Sequence, residues 1–365
     1  MEITVSKEDL LKGIQTVQGA VSSKNTLPIL NNILVETQND QIRLTATDLD
    51  IAITAYIPAQ IKTPGNITLP AKRFSDIIKE LRAADSVQIQ VKKNHSVTIE
   101  SGKAVLKLMG LAKDDFPDIP EFQTANSISF SQSLLARMIK LTAFAMSRDE
   151  ARYVLNGILF SFQEKILRLV ATDGRRLAMI EKTLSKPFPA AKNIIIPNKT
   201  IQELARNLGD EGDVSFNVKG NQLQFKINSI VITSRLIDGE FPNYEQVIPK
   251  KTKEQVWINT QDFLSAARRA SIFTSQESQS IKIDLSKNRV VISKNTPDVG
   301  EVREEIDAEY SGGEFSIGFN PSYLIDVLKN INDEKIQFGL TDPEKPGMIK
   351  AEEDYTYIVL PMQLT

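Results

Sequence analysis

Residues 5–22, VSKEDLLKGIQTVQGAVS, and residues 130–147, FSQSLLARMIKLTAFAMS, are the stretches whose superposition decides the fold. Shifted by 125 positions, Ser6 meets Ser131, Leu10 meets Leu135, Ile14 meets Ile139 and Val21 meets Met146. Residues 258–275, INTQDFLSAARRASIFTS, fit the same frame, with Phe263, Ala267 and Ala270 on the apolar face. Each reads as an amphipathic helix entered after a short strand. A second helix recurs with apolar residues at 0, 3, 4 and 7, a spacing that puts all four on one face. It is carried by Phe74, Ile77, Ile78 and Leu81, then by Ile201, Leu204, Ala205 and Leu208, then by Leu324, Val327, Leu328 and Ile331. Pro70 and Pro197 stand just before two of these helices, and Pro321 falls in the first turn of the third, where proline is tolerated.

Strand segments repeat on the same offset. LTATD (44–48) returns as LVATD (169–173), LNNILV (30–35) as LNGILF (155–160), and DFPDI (115–119) as EFPNY (240–244). IKIDL (281–285) is a weaker third copy, and ISKNTPDVG (292–300) replaces the ATD turn in the last repeat. Alternating runs such as QIRLTAT, IAITAYI, SVTIES and AVLKLMG suit half-buried antiparallel strands. The chain therefore reads as α+β, with three tandem domains at 1–124, 125–251 and 252–365. Each has two helices and seven or eight strands.

Composition narrows the chemistry. The 365 residues are 41% hydrophobic and 25% charged, enough for an ordinary core in each domain. With no cysteine, disulfides, thiol nucleophiles and cysteine-ligated metals are excluded. His95 is the only histidine, which removes HExxH sites, histidine-cluster metal sites and most catalytic triads. The amino terminus lacks a basic segment followed by an apolar core, and no run approaches the ~18 apolar residues of a membrane helix. The expectation is a soluble, cytoplasmic protein.

The net charge of -2 hides an uneven distribution. The six repeated helical spans (7–24, 71–83, 131–152, 198–208, 259–274 and 320–332) hold 16 Lys and Arg against 9 Asp and Glu. They carry +7 while the remainder carries -9. Solvated helix faces are often basic, but a surface gathering these charges would bind phosphates without reading sequence and would weaken with salt. Ring geometry sharpens that reading. Six helices about 10 Å across would enclose a hole of only about 10 Å, too narrow for a duplex about 20 Å wide. Twelve would leave roughly 28 Å, so a ring round DNA needs two chains joined head to tail.

TLPILNNILVE, LTATDLD, FPDIP, RYVLNGILF, VATDGRRLA, LIDGEFPNY and YIVLPMQL, in this order over the whole chain, resemble the bacterial sliding clamp family. That family is the beta subunit of the replicative DNA polymerase holoenzyme. The resemblance implies DNA-clamp (processivity-fold) domains, six of which close a homodimeric ring that slides on duplex DNA. The ring would tether the replicative polymerase, the clamp loader and other partners, without catalytic residues, cofactor, metal or membrane contact. It also implies a partner-peptide pocket between domains 2 and 3. Leu155, Thr172, Gly174, Arg175, Arg176 and Leu177 fall on its pattern, as do Pro242, Val247, Asn320 and Tyr323. So does the tail Ile358, Val359, Leu360, Pro361, Met362 and Leu364. Pro346 and Met348 are further candidates for its lining.

Basic inner positions of the family fall on Lys24, Arg73, Arg152, Tyr153 and Lys199; Lys72 and Arg148 stand beside them. Asp149 departs from the pattern where the family can carry a neutral polar contact. The implied dimer contact sets Leu106 and Leu108 against Ile272 and Phe273, with Lys103 and Lys107 facing Glu301, Glu304 and Glu305. Leu106 and Leu108 alternate with Lys107, so facing their own core is an open alternative.

Two rival readings remain. Asp48 with Asp50, Asp114 with Asp115, and Glu352 with Glu353 could in principle hold magnesium. The ATD carboxylate recurs as a turn residue would, however, and no GxxxxGK[ST] phosphate loop is present. A peptide-binding scaffold that never touches DNA would share the repeats and the pocket.

Overall fold

The computed structural model describes residues 1–21, 27–82, 86–124, 127–185, 187–188, 192–352 and 354–364. Lys24 and Glu353 therefore lie outside the described residues. The recurring apolar spacings fold as six helices: α1 (Lys7–Gln18), α2 (Ala71–Glu80), α3 (Gln132–Thr142), α4 (Asn198–Asn207), α5 (Thr260–Ser271) and α6 (Pro321–Leu328). Ser6 caps α1, Asn259 caps α5 and Asn320 caps α6, each side-chain oxygen accepting from N–H groups of the first turn. Pro321 occupies the first helical position of α6.

The spacing identifies the buried faces well: Leu10, Ile14 and Val17 in α1, Phe74 and Ile78 in α2, and Leu324, Val327 and Leu328 in α6 are buried. In α4 it errs at one position. Ala205 is exposed, and Glu203 turns inward beside Gly19, where there is no room for a Cβ. Arg206 pairs with that carboxylate at 3.1 Å, which offsets part of the cost of burying it.

Residue contacts gather the chain into two compact units, Met1–Leu134 with Gln202–Leu236, and Leu135–Ile201 with Ile237–Thr365. The first holds a five-stranded sheet ordered Gln60–Thr63, Glu2–Ser6, Ser86–Val91, Ser96–Ser101, Ala104–Met109. It also holds an eight-stranded sheet in which Ile230–Arg235 pairs with Ile51–Pro58. The second unit has a twelve-stranded sheet in which Tyr355–Val359 pairs with Arg176–Thr183. All these pairings are antiparallel. The middle third of the sequence is thus shared out. One of its sheets extends the first repeat's sheet, and the other extends the third's.

Candidate partner-binding site

The site grows from the repeated turn. In LVATD, the strand Ile166–Thr172 ends as Thr172 Oγ1 donates to Arg176 O at 2.6 Å and accepts from Gly174 N at 3.1 Å. Asp173 Oδ1 then accepts from Arg175 N at 2.9 Å and Arg176 N at 3.0 Å. Gly174 closes the turn at φ 85°, the left-handed region where glycine has no Cβ penalty. The ATD carboxylate is a turn-former, as its recurrence implied: Asp48 Oδ1 accepts from Asp50 N and Ile51 N in the same way.

Arg176 is the electrostatic pivot. Its guanidinium reaches Asp173 at 3.0 Å and Asp326 of α6 at 2.7 Å, and it donates to Phe144 O at 2.8 Å. It also lies over the Tyr323 ring, 4.7 Å from the centroid. Burial works against its charge, but Tyr357, Asp326 and Asp173 more than restore it, so Arg176 stays cationic. Burial likewise raises Asp326, but Arg176 and Lys329 outweigh it and hold the carboxyl below its ordinary value. The charged end of Arg176 is therefore committed inside the protein, and only its stem serves the surface.

Beside this turn lies an apolar cavity of about 160 Å³. Leu155, Thr172, Gly174, Arg175, Arg176 and Leu177 line one side, with Pro242, Val247, Ile358 and Leu360 opposite. Asn243 and Tyr244 join the lining although neither was singled out from sequence; their place in the repeated EFPNY segment was the available signal. Leu360 is held at the rim by its N–H, which donates to Arg175 O at 2.9 Å. Leu177 and Ile358 rest on a buried cluster with Leu159, Val170, Ile195 and Met348.

Eight other candidates fall outside this lining. Val359 is fully buried on the opposite face of its strand. Asn320 is engaged as the α6 cap, and Tyr323 stacks under Arg176. Met362 N donates to Gly318 O at 2.8 Å, fixing the tail beside the strand Phe315–Phe319, while Pro361 is half-buried and Leu364 exposed. Pro346 is half-buried and Met348 lies beneath a neighbouring cavity.

The basic candidates divide between the two units. Lys72 and Arg73 are exposed in the first turn of α2, and Arg148 is exposed in the second unit. Lys199 is half-buried. Asp149 caps the short turn Glu150–Leu155 and stands 3.8 Å from Arg152. Arg152 Nη1 donates to Asp173 O at 3.3 Å, so this residue borders the apolar cavity, and Tyr153 beside it is 58% exposed.

The dimer candidates also separate by face. Ala104–Met109 is an edge strand, but Leu108 is buried and Leu106 half-buried, while Val105 and Met109 are both 61% exposed. Strand alternation turns the two leucines toward their own core, and Lys103 and Lys107 are exposed. In the other unit Ile272 is 71% exposed and Phe273 is half-buried against Gly300. Glu301 is free to face solvent, whereas Glu304 is taken by Arg269, and Glu305 lies 3.4 Å from Arg303.

Comparison with known proteins places the whole chain. Models of the DNA polymerase III beta subunit match its N-terminal domain over residues 1–120, its central domain over 129–243 and its C-terminal domain over 245–363. The beta sliding clamp of Pseudomonas aeruginosa is 35% identical, with each chain covered in full. The crystal structure of the Bacillus subtilis DNA polymerase sliding clamp superposes with a TM-score of 0.96 at 33% identity, again covering both chains fully. A Pseudomonas aeruginosa clamp solved with griselimycin bound superposes at 0.95 with 35% identity. A three-domain match in sequence order and a fold shared along its entire length mean that this chain belongs to the DNA polymerase III beta subunit, or beta sliding clamp, family.

Proposed function

We propose that the chain is a DNA polymerase processivity factor: two copies join head to tail into a ring of six clamp domains that encircles duplex DNA. The domains take the sequence boundaries 1–124, 125–251 and 252–365. Lys24, Lys72, Arg73, Arg148, Arg152, Tyr153 and Lys199 meet phosphates without reading bases, which lets the ring slide. Val105 and Met109 join Leu106, Ile272 and Phe273 in an apolar contact rimmed by charge. The protein performs no catalysis and works in the cytoplasm.

The observation that carries the reading is the apolar cavity at the repeated turn in a chain that matches the clamp family from end to end. It suits the apolar side chains of a short peptide from the polymerase or the clamp loader. Light scattering over a dilution series should give twice 40.7 kDa. A persistent monomer at micromolar concentration would remove the ring and leave the scaffold reading. Neutralising Lys24, Arg73 and Lys199 together should shorten retention on circular DNA, and unchanged retention would sink the DNA-facing assignment. Leu360→Arg, at the rim of the cavity, should strongly weaken polymerase-peptide binding while the dimer persists. Normal binding by that variant would mean the pocket lies elsewhere.

A further inference from the structure

A second cavity of about 240 Å³ lies in the same unit as the apolar pocket, and three lysines surround it: Lys250, Lys251 and Lys350. Gln255, Gln337 and Thr252 complete its polar lining. All three lysines are exposed, and among the described residues none has a carboxylate in ion-pair range. Nearby lysines do find such partners, Lys182 with Asp354 and Lys335 with Glu309. Three like charges gathered round one concavity repel each other unless an anion joins them.

The backbone explains the gathering. Gly339 lies under Thr252, whose Cγ2 and Oγ1 would each be 2.8 Å from a Cβ at that position. The missing side chain lets residues 250–252 lie down on the sheet, and Lys253 N pins them by donating to Leu340 O at 2.9 Å. Lys350, directly opposite Gln337, completes the group from the next strand. Gln337 Nε2 donates to Gln255 Oε1 at 3.0 Å, which fixes the floor.

The register ties this cavity to the apolar one. Leu177 pairs with Ile358, Ile358 with Met348, Met348 with Gly339, and Gly339 with Gln255. Directly opposed residues share a face, so these five form one row across five strands. Its Leu177–Ile358 end lines the apolar pocket, and its Met348–Gly339–Gln255 end lines the lysine cavity. From Ile358 to Gly339 is two strand spacings, about 10 Å. An extended peptide covers that distance in about three residues. The pocket wall also continues along the chain, from Val247 to Lys250 and Lys251.

We propose that the lysine cavity receives acidic side chains of the same partner peptide whose apolar residues fill the first pocket, about three to four residues from that anchor. The proposal rests on the apolar cavity being the peptide site. Occupation by two carboxylates would offset two of the three charges and fix the direction in which a partner lies along the row. Rim charges of this kind set specificity and association rate more than total affinity.

The test uses the full-length chain and four fluorescein-labelled synthetic peptides with a Leu-Phe anchor. Two carry Glu-Glu, placed three residues before or three residues after the anchor, and two carry Gln-Gln at the same places. One Glu-Glu peptide should bind about tenfold more tightly than its Gln-Gln partner at low salt. The advantage should vanish in 0.5 M salt (roughly the screening regime of a few ångströms) and in the K250Q/K251Q/K350Q protein. These are exposed side chains, so the triple variant should keep the wild-type melting temperature. Equal affinity of all four peptides would overturn the lysine site alone. Failure of every peptide to bind would overturn the apolar-pocket reading and this proposal with it. Lysine-dependent retention of labelled duplex DNA, with equal peptide affinities, would give the lysines to nucleic acid and also overturn it.

Discussion

The turn at Thr47–Ala52 and the turn at Thr172–Leu177 are one device built twice, and their surroundings differ where it matters. Both use a threonine hydroxyl donating four residues ahead and an aspartate accepting two N–H groups. Both are followed by a strand that pairs with a distant one, Ser234 opposite Ile51 and Val359 opposite Arg176. Arg235 N donates to Asp50 O at 2.9 Å just as Leu360 N does to Arg175 O. Each turn even borders a cavity of about 160 Å³.

The side chains diverge. Leu177, Ile358 and Leu360 at the second turn answer to Ala52, Thr233 and Arg235 at the first. Gln224 Nε2 also ties the connecting segment across the first site by donating to Pro120 O at 3.0 Å and Glu121 O at 3.2 Å. The backbone duplicates a concavity, and only the second copy presents an apolar surface to a ligand. A cavity's existence follows from the fold, whereas its use follows from a few side chains.

Converting the second site into the first should break the contrast most strongly. Leu177→Ala with Leu360→Arg should weaken a partner peptide about a hundredfold, since each leucine contributes about 1.5–3 kcal/mol when covered. Fluorescence anisotropy would read this, and Leu360→Arg alone isolates the surface effect from core loss. A peptide bound normally by the double variant would place its anchor elsewhere.

The turn aspartates should separate next. Asp173→Ala removes the acceptor of two N–H groups and a partner of buried Arg176, costing about 2 kcal/mol, against about 1 kcal/mol for Asp48→Ala. Urea denaturation of both variants would show the difference, and equal losses would deny Arg176 its special place.

The left-handed position sharpens the comparison further. Leu49 adopts φ 81° where its counterpart is Gly174 at φ 85°. Gly174→Leu should cost about 1–2 kcal/mol from backbone strain, with its Cβ also 2.8 Å from Arg152 Nη1. Leu49→Gly should change stability by less than about 1 kcal/mol, because relief of strain is offset by glycine's entropy. Thermal melts of the pair would measure the asymmetry.

The smallest expected effect concerns pH. Asp326 is held below its ordinary pKa by Arg176 and Lys329, against the opposing effect of burial. A depressed folded-state pKa contributes stability above the unfolded value, about 4, that is lost as pH falls through the folded one. Asp326→Asn should therefore flatten the stability profile below about pH 4, by less than about 1 kcal/mol after solvent screening. An unchanged acid limb in denaturant titrations would show that the pair contributes nothing.

Much of this was legible in the sequence. The 0, 3, 4, 7 spacing identified Phe74, Ile78, Leu324, Val327 and Leu328 as buried because helix periodicity is local. The offset of 125 paired Asp48 with Asp173 before either was seen to cap a turn. Ala205 was misplaced because the spacing counts only apolar residues, and Glu203 is buried with the help of Arg206. The resemblance singled out Leu106 and Leu108 on the edge strand but not Val105 and Met109, which strand alternation turns outward.

By itself, then, the chain's sequence determined what depends on near neighbours and on repetition: helices, turns, the triplicate plan and the family. Tertiary structure alone decided which strands of the middle repeat join which sheet, and hence that Leu177, Ile358, Met348, Gly339 and Gln255 form one row. These residues are scattered from position 177 to position 358, and their alignment depends on the register of five strands at once. No local periodicity carries that information, because cross-strand register is fixed by burial on both sides of the pairing rather than by either segment alone.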